Sequence, residues 1–305
     1  MEFTILVDSS FPEVCTQKNI SPQSNKYVLS IVNDFEEGAW RNKNFHMFIW
    51  DNIAETSLSS KEREALIDKS SSLLTASASN LRLTDKEVDI GKGSELAEIF
   101  LYGIMKHHYG ALPVIPKIFY KQSAQDNAKG ADSVHLVIHE NDFSLWFGEA
   151  KFYTSIDNTR LGSIVTSVKN SLRPDKLRKE NSIVTSLSDI DYLVKNVDLR
   201  QRIKDALSPQ ISLDMIKPKI HIPIFILHEC GLTQATSTWS EDYKKRVTDY
   251  HIERANAFFE KQVAELSDIH LYDKITFHII LFPVPNKAKI VDKFVQKVEF
   301  LKKEF

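Results

Sequence analysis

Cysteine is scarce in this chain: Cys15 and Cys230 are the only two among 305 residues. Neither has a partner at metal-ligand spacing, so a disulfide scaffold and a cysteine-based zinc module are excluded, leaving ordinary intracellular thiols. Long hydrophobic runs are also missing. Nowhere do about 18 apolar residues follow one another, so no transmembrane helix is expected. Glu2 and Asp8 stand where a secretory leader would carry positive charge, and the chain is predicted to be cytoplasmic, with no membrane partner. Nine glycines, ten prolines and no low-complexity tract exclude a fibrous or disordered chain, and no fixed-period repeat marks a solenoid. The net charge of −2 gives no chain-wide basic footprint. Any grip on nucleic acid must therefore be local or shared with a partner. With no P-loop, Gly-rich dinucleotide fingerprint or Ser/His/Asp elbow, the chain is not expected to hydrolyse nucleotide itself.

What is present is an ordinary globular composition, 42% hydrophobic and 26% charged. Phe3 to Val7 reads as a strand, and Lys26 to Trp40 and Lys61 to Ser77 as helices, the latter with Ser59 or Ser60 as N-cap before Glu62 and Glu64. A serine-rich stretch then suggests a boundary near residue 80. This divides a small N-terminal α/β region, 1–80, which could dock a partner, from a main domain, 81–305. Gly91-Lys92-Gly93 precedes a helix from about Ser94 to His108. Strands follow at 116–122, 132–139 and 143–153, with a turn at Glu140-Asn141-Asp142, and then a helix from Asn158 to Leu172. A mixed-charge helical stretch spans about 180–215. Two apolar strands, 220–227 and 275–282, are separated by a helix from Ser240 to Leu266 and followed by one from Lys287 to Phe305. Apolar strands alternating with helices indicate an α/β fold whose mixed central sheet is flanked by helices.

The informative spacing lies in the middle strands. Side chains alternate along a strand, so Phe147, Glu149, Lys151 and Tyr153 share one face, and Trp146, Gly148, Ala150 and Phe152 the other. The small pair Gly148 and Ala150 lets a helix pack closely behind. With a hairpin at 140–142, Asp132 and Glu149 fall at matching distances from the turn and can face each other. Two carboxylates suit a hard cation such as Mg²⁺, which keeps several waters and accepts phosphate oxygens. A neighbouring ammonium can steady the charge that grows on a phosphate. This set suits metal-assisted phosphodiester cleavage. Taken alone, an acidic-x-Lys triplet reads as a surface ion pair, as Asp242-Tyr243-Lys244 does; the strand setting and the companion Asp132 favour a site.

The upstream helix offers Glu95 and Glu98. Its core stripe is Leu96, Ile99, Phe100 and Gly103. Glu95 flanks that stripe and Glu98 points nearly opposite it, so Glu95 is favoured for the site, although an acid in the first turn also matches the helix dipole. His135 and His139 lie about 13 Å apart on one strand face and cannot share an ion, and His107 and His108 suit a helix C-terminus.

Helix with Glu, strand, strand with Asp, strand with Glu-x-Lys, helix: this order resembles the core of the PD-(D/E)xK nuclease superfamily. More narrowly, Gly93-Ser94-Glu95, Lys117 to Lys121, Gly130-Ala131-Asp132 with His135, and Gly148-Glu149-Ala150-Lys151 are similar to the HamA family. The detailed match covers about residues 91–175 and departs from the superfamily pattern where Ala131 replaces the usual Pro. The resemblance implies a restriction-endonuclease-like core and a metal-dependent DNase using Mg²⁺ (or Mn²⁺). It implies Asp132, Glu149 and Glu95 as metal ligands, Lys151 as the catalytic lysine, and hydrolysis by activated water with no covalent enzyme intermediate. It also implies a place in a Hachiman anti-phage defence complex, held by a HamB-like superfamily 2 helicase until DNA releases its activity.

A basic run, Lys169, Arg173, Lys176, Arg178 and Lys179, is diluted by Asp175 and Glu180. It reads either as a solvated helix face or, with Lys121 and Lys129, as a track for the DNA phosphate backbone. Two other functions stay open: a stand-alone restriction or repair nuclease, and a catalytically idle module that binds DNA or a helicase.

Overall fold

The computed structural model describes residues 3–15, 19–83, 93–115, 118, 131–140, 142–186 and 189–303. Among them, seven strands form one mixed sheet: β1 (Thr4–Ser10), β2 (Lys26–Val32), β5 (Leu112–Ile115), β6 (Ser133–His139), β7 (Asp142–Tyr153), β8 (Ile220–Glu229) and β9 (Thr276–Val284), in the order β1-β2-β9-β8-β7-β6-β5. Two-residue strands β3 (Phe35–Glu36) and β4 (Ala39–Trp40) pair separately. β2, β9, β8 and β7 run parallel, while β1, β6 and β5 join antiparallel.

The helices are α1 (Phe11–Val14), α2 (Asn42–Ser57), α3 (Ser60–Ala65), α4 (Ser70–Ser79), α5 (Ser94–His107), α6 (Asn158–Ser171), α7 (Pro174–Ser186), α8 (Asp189–Leu193), α9 (Val197–Ala206), α10 (Leu213–Ile216), α11 (Gly231–Gln234), α12 (Glu241–Leu266) and α13 (Lys287–Lys303). They cover both sheet faces, as a sheet rich in parallel pairs requires. On one face Val134, Leu136, Leu145, Phe147, Ile224 and Ile226 pack with Leu161 and Ile164 of α6 and Phe258 of α12. On the other, Trp146, Ala150, Phe152, Phe225 and Phe282 pack with α2, α5 and α13. No helix is long and apolar enough to cross a membrane among the described residues.

The N-terminal third departs from expectation. Lys26 to Trp40 is not a helix: its first seven residues are β2, between β1 and β9, and all but Tyr27 are buried. A strand covered on both faces loses its polar alternation, and that hides it among apolar helix patterns. The segment expected as one helix over 61–77 is broken into α3 and α4, with the predicted cap at Ser59 forming a capping box with Glu62. The division near residue 80 does not coincide with a break in the sheet, because β2 pairs directly with β9. All of the range expected as a strand at 116–122 except Ile118 lies outside the described residues; β5, at Leu112–Ile115, precedes that range.

α5 follows the predicted bounds but not the predicted exposure. It is wedged between the sheet and α2, so every residue from Leu96 to Met105 is buried, Glu98 included. Gly93 opens it at φ 93°, and an added Cβ there would lie 2.8 Å from Val291 of α13. Only glycine takes that conformation at so close an approach.

Candidate active site

The β6–β7 hairpin sets the register of the site. Ile138 pairs with Phe143 beside the turn and Ser133 with Gly148 at the far end. The amide of Asp132 donates to the Gly148 carbonyl at 2.8 Å, so Asp132 and Glu149 arrive side by side. Gly148 faces α5: a Cβ built there would lie 2.8 Å from Leu101 Cδ2 and closer still to Ser133 Oγ. The absence of a side chain at 148 thus lets α5 support the strand from behind, while Glu149 and Lys151 project from the opposite face toward α6.

There the three side chains meet. Lys151 Nζ lies 2.6 Å from Glu149 Oε1 and 3.3 Å from Asp132 Oδ2. The Ala150 amide donates to Asp132 Oδ2 at 3.0 Å, and the Ser167 hydroxyl of α6 donates to Glu149 Oε1 at 2.6 Å. Glu149 is only 6% exposed. Burial first, and then the charge of Asp132, push its carboxyl above the ordinary range, against the pull of Lys151 and Ser167. Burial works against charge on Lys151 as well, but the two carboxylates outweigh it and hold the ammonium protonated, above its ordinary value. Desolvating such a trio costs about as much as its mutual attraction returns, so it does little for stability. Strongly perturbed groups gathered in this way favour a functional site.

Among the described residues no cluster of three or more His, Cys, Asp or Glu side chains is placed to hold a metal. Asp132 and Glu149 nevertheless fit Mg²⁺ as a donor set, since that ion takes one or two carboxylates and fills its remaining positions with water.

Glu95 does not join them. Its two carboxylate oxygens accept the backbone N–H groups of Arg82 and Leu83, each at 2.8 Å, tying α5 to the end of the preceding segment. Glu98, which sequence periodicity turned outward, is 6% exposed and lies one turn before Leu101 and Tyr102, which face Gly148 and His135. The outward reading failed because α5 is buried on every side from Leu96 to Met105.

Of the basic residues, Lys169 pairs with Glu265 at 3.6 Å and Arg173 with Asp175 at 3.1 Å. Exposed pairs of this kind are worth little. Lys176 is half-buried on α7, while Lys121 and Lys129 lie outside the described residues. Two contacts carried no sequence signal. Ser167 is one serine on a helix, and Glu180 read only as a charge diluting a basic run. In the fold Glu180 is 3% exposed and accepts the Ala131 amide at 3.1 Å, directly before Asp132.

A search of curated proteins finds no match to the chain. A family model described as HamA matches residues 8–298, nearly the whole length, and by that match the chain belongs to the HamA family.

Proposed function

We propose that the chain is a metal-dependent DNA nuclease and the effector subunit of a Hachiman-like anti-phage defence complex. The carrying observation is the Lys151 ammonium set between two carboxylates, 2.6 Å from Glu149 and 3.3 Å from Asp132, on a face that α6 largely covers. Asp132 and Glu149 would hold Mg²⁺ or Mn²⁺, which when bound acidifies water and screens charge on the phosphate. Lys151 keeps its proton throughout and offers N–H donors to a phosphate oxygen as negative charge grows there. Ala150 holds Asp132 with its backbone amide, so the first carboxylate does not depend on the lysine alone for its placement. The Phe147 and Tyr153 side chains, buried on the same face, keep bulk water from much of the trio and strengthen its electrostatics.

Membership of the HamA family supports the defence role. The net charge of −2 supports a helicase partner of the HamB type, since a subunit without net positive charge gains from a second protein that grips DNA. Lys169, Arg173 and Lys176 would add phosphate contacts without sequence preference. The test is to purify the chain alone and co-expressed with its helicase partner, and to incubate each with plasmid DNA, Mg²⁺ and ATP. Cleavage by the complex is expected. Intact plasmid in every arm overturns the nuclease, and full cleavage by the chain alone overturns the need for a partner.

A further inference from the structure

The two helices that follow β7 each brace one carboxylate residue of the site, α6 through the Glu149 side chain and α7 through the backbone before Asp132. The Ser167 hydroxyl of α6 donates to Glu149 Oε1 at 2.6 Å, and Lys151 Nζ contacts the same oxygen at 2.6 Å. Oε1 is thereby occupied twice, while Oε2 has no hydrogen-bond donor among the described residues. The two contacts fix the position of the carboxylate, with one oxygen held and the other left open. On the neighbouring strand the Glu180 carboxylate of α7 accepts the Ala131 amide at 3.1 Å. That amide opens the segment from which Asp132 projects, and the Asp132 amide is itself bound to Gly148 O. Glu180 is 3% exposed and part of a buried helix face with Leu177 and Val184. Burying a carboxylate is costly unless its partners hold it, and one partner of Glu180 is the amide directly before Asp132.

We propose that Ser167 and Glu180 are positioning residues for the metal-binding carboxylates: Ser167 turns Glu149 so that Oε2 faces the cation, and Glu180 fixes the backbone that carries Asp132. Neither touches the reacting atoms. The inference rests on the nuclease reading above and deepens it. Groups that orient metal ligands typically change metal affinity by roughly ten- to a hundredfold when removed, and that is the scale expected here. Because Ser167 and Glu180 act on different carboxylates through different helices, their losses should combine.

The test measures Mn²⁺ binding by calorimetry, alongside plasmid cleavage against Mg²⁺ concentration, with the helicase partner present wherever wild type requires it. Ser167→Ala and Glu180→Ala are expected to weaken Mn²⁺ binding by roughly ten- to a hundredfold and to raise the Mg²⁺ concentration for half-maximal cleavage in parallel. Ser167→Thr restores the hydroxyl, and Glu180→Gln keeps an oxygen acceptor for the Ala131 amide; both are expected near wild type. Thermal melting of every variant separates lost positioning from lost folding. Wild-type metal affinity in both alanine variants overturns the inference while the nuclease reading stands. A Glu180→Gln protein as impaired as Glu180→Ala also overturns it, because the effect would then belong to charge and not to the held amide. A folded wild-type protein that neither binds Mn²⁺ nor cuts DNA in any arm overturns both the inference and the reading beneath it.

Discussion

Lys151 and Glu149, two residues apart on one strand face, meet at 2.6 Å in a place where burial favours neither charge. Function and stability therefore pull in opposite directions at this pair. Because the folded-state pKa of Glu149 is raised above 4.5, the stability linked to it is fully present below pH 4.5 and is lost as pH rises through the folded value. Gln does not titrate. In EDTA, Glu149→Gln is expected to melt above wild type at pH 8, with the difference closing as pH falls below 4.5, while cleavage is abolished. Melting curves across pH check this. A variant that melts lower than wild type at pH 8 contradicts it.

Gly148 is expected to tolerate no side chain. A Cβ there would stand 2.8 Å from Leu101 and closer to Ser133, forcing α5 or β6 to move. Overpacking of this kind costs about 1–3 kcal/mol. Urea unfolding of Gly148→Ala should show that loss together with reduced cleavage, since the carboxylates hang from the same strands. Unchanged stability would mean that α5 does not bear on β7 as described.

The fold should weaken in mild acid. Burial lowers the pKa of His135 to about 3 and of His228 to about 4, and that of His251 well below 6.5. The unfolded chain takes up these protons below about pH 6.5 and the folded chain does not, so stability is full above that pH and falls as pH drops toward the folded values. The slope is ~1.4 kcal/mol per pH unit for each histidine. His135 has no hydrogen-bond partner for either ring nitrogen among the described residues, so His135→Leu sacrifices little and should flatten the acid limb by one histidine's share. An unchanged slope would show that His135 is protonated in the fold.

Glu95→Ala separates the anchoring role from a metal-binding one. Losing two hydrogen bonds from the Arg82 and Leu83 amides should cost about 1–3 kcal/mol in urea unfolding. Mn²⁺ affinity of the folded protein is expected to stay at the wild-type value. A selective loss of that affinity would return Glu95 to the metal.

The middle of the chain was legible because its signals are local. The alternation through Phe147, Glu149, Lys151 and Tyr153 and the short turn at 140–142 are enough to pair Asp132 with Glu149, and the register agrees. The α/β layering of β8, α12, β9 and α13 was legible for the same reason. β2 was not, because a strand buried on both faces carries no alternation. Glu98 was misread because periodicity assumes a solvent face, and α5 is buried on every side from Leu96 to Met105. Ser167 and Glu180 were illegible because their partners, Glu149 and the Ala131 amide, lie 18 and 49 residues away, at distances that only packing sets.

Asp132, Glu149 and Lys151 are proposed to form a metal-dependent nuclease centre. That centre is tested by cleavage of supercoiled plasmid by wild type and by Glu149→Ala/Lys151→Ala, each in Mg²⁺ and in EDTA, with the proposed helicase partner and ATP supplied to both proteins. Cutting by wild type in Mg²⁺, abolished by EDTA and absent from the double variant, is the predicted result. Equal cutting by the double variant, or wild-type cutting that survives EDTA, would contradict it.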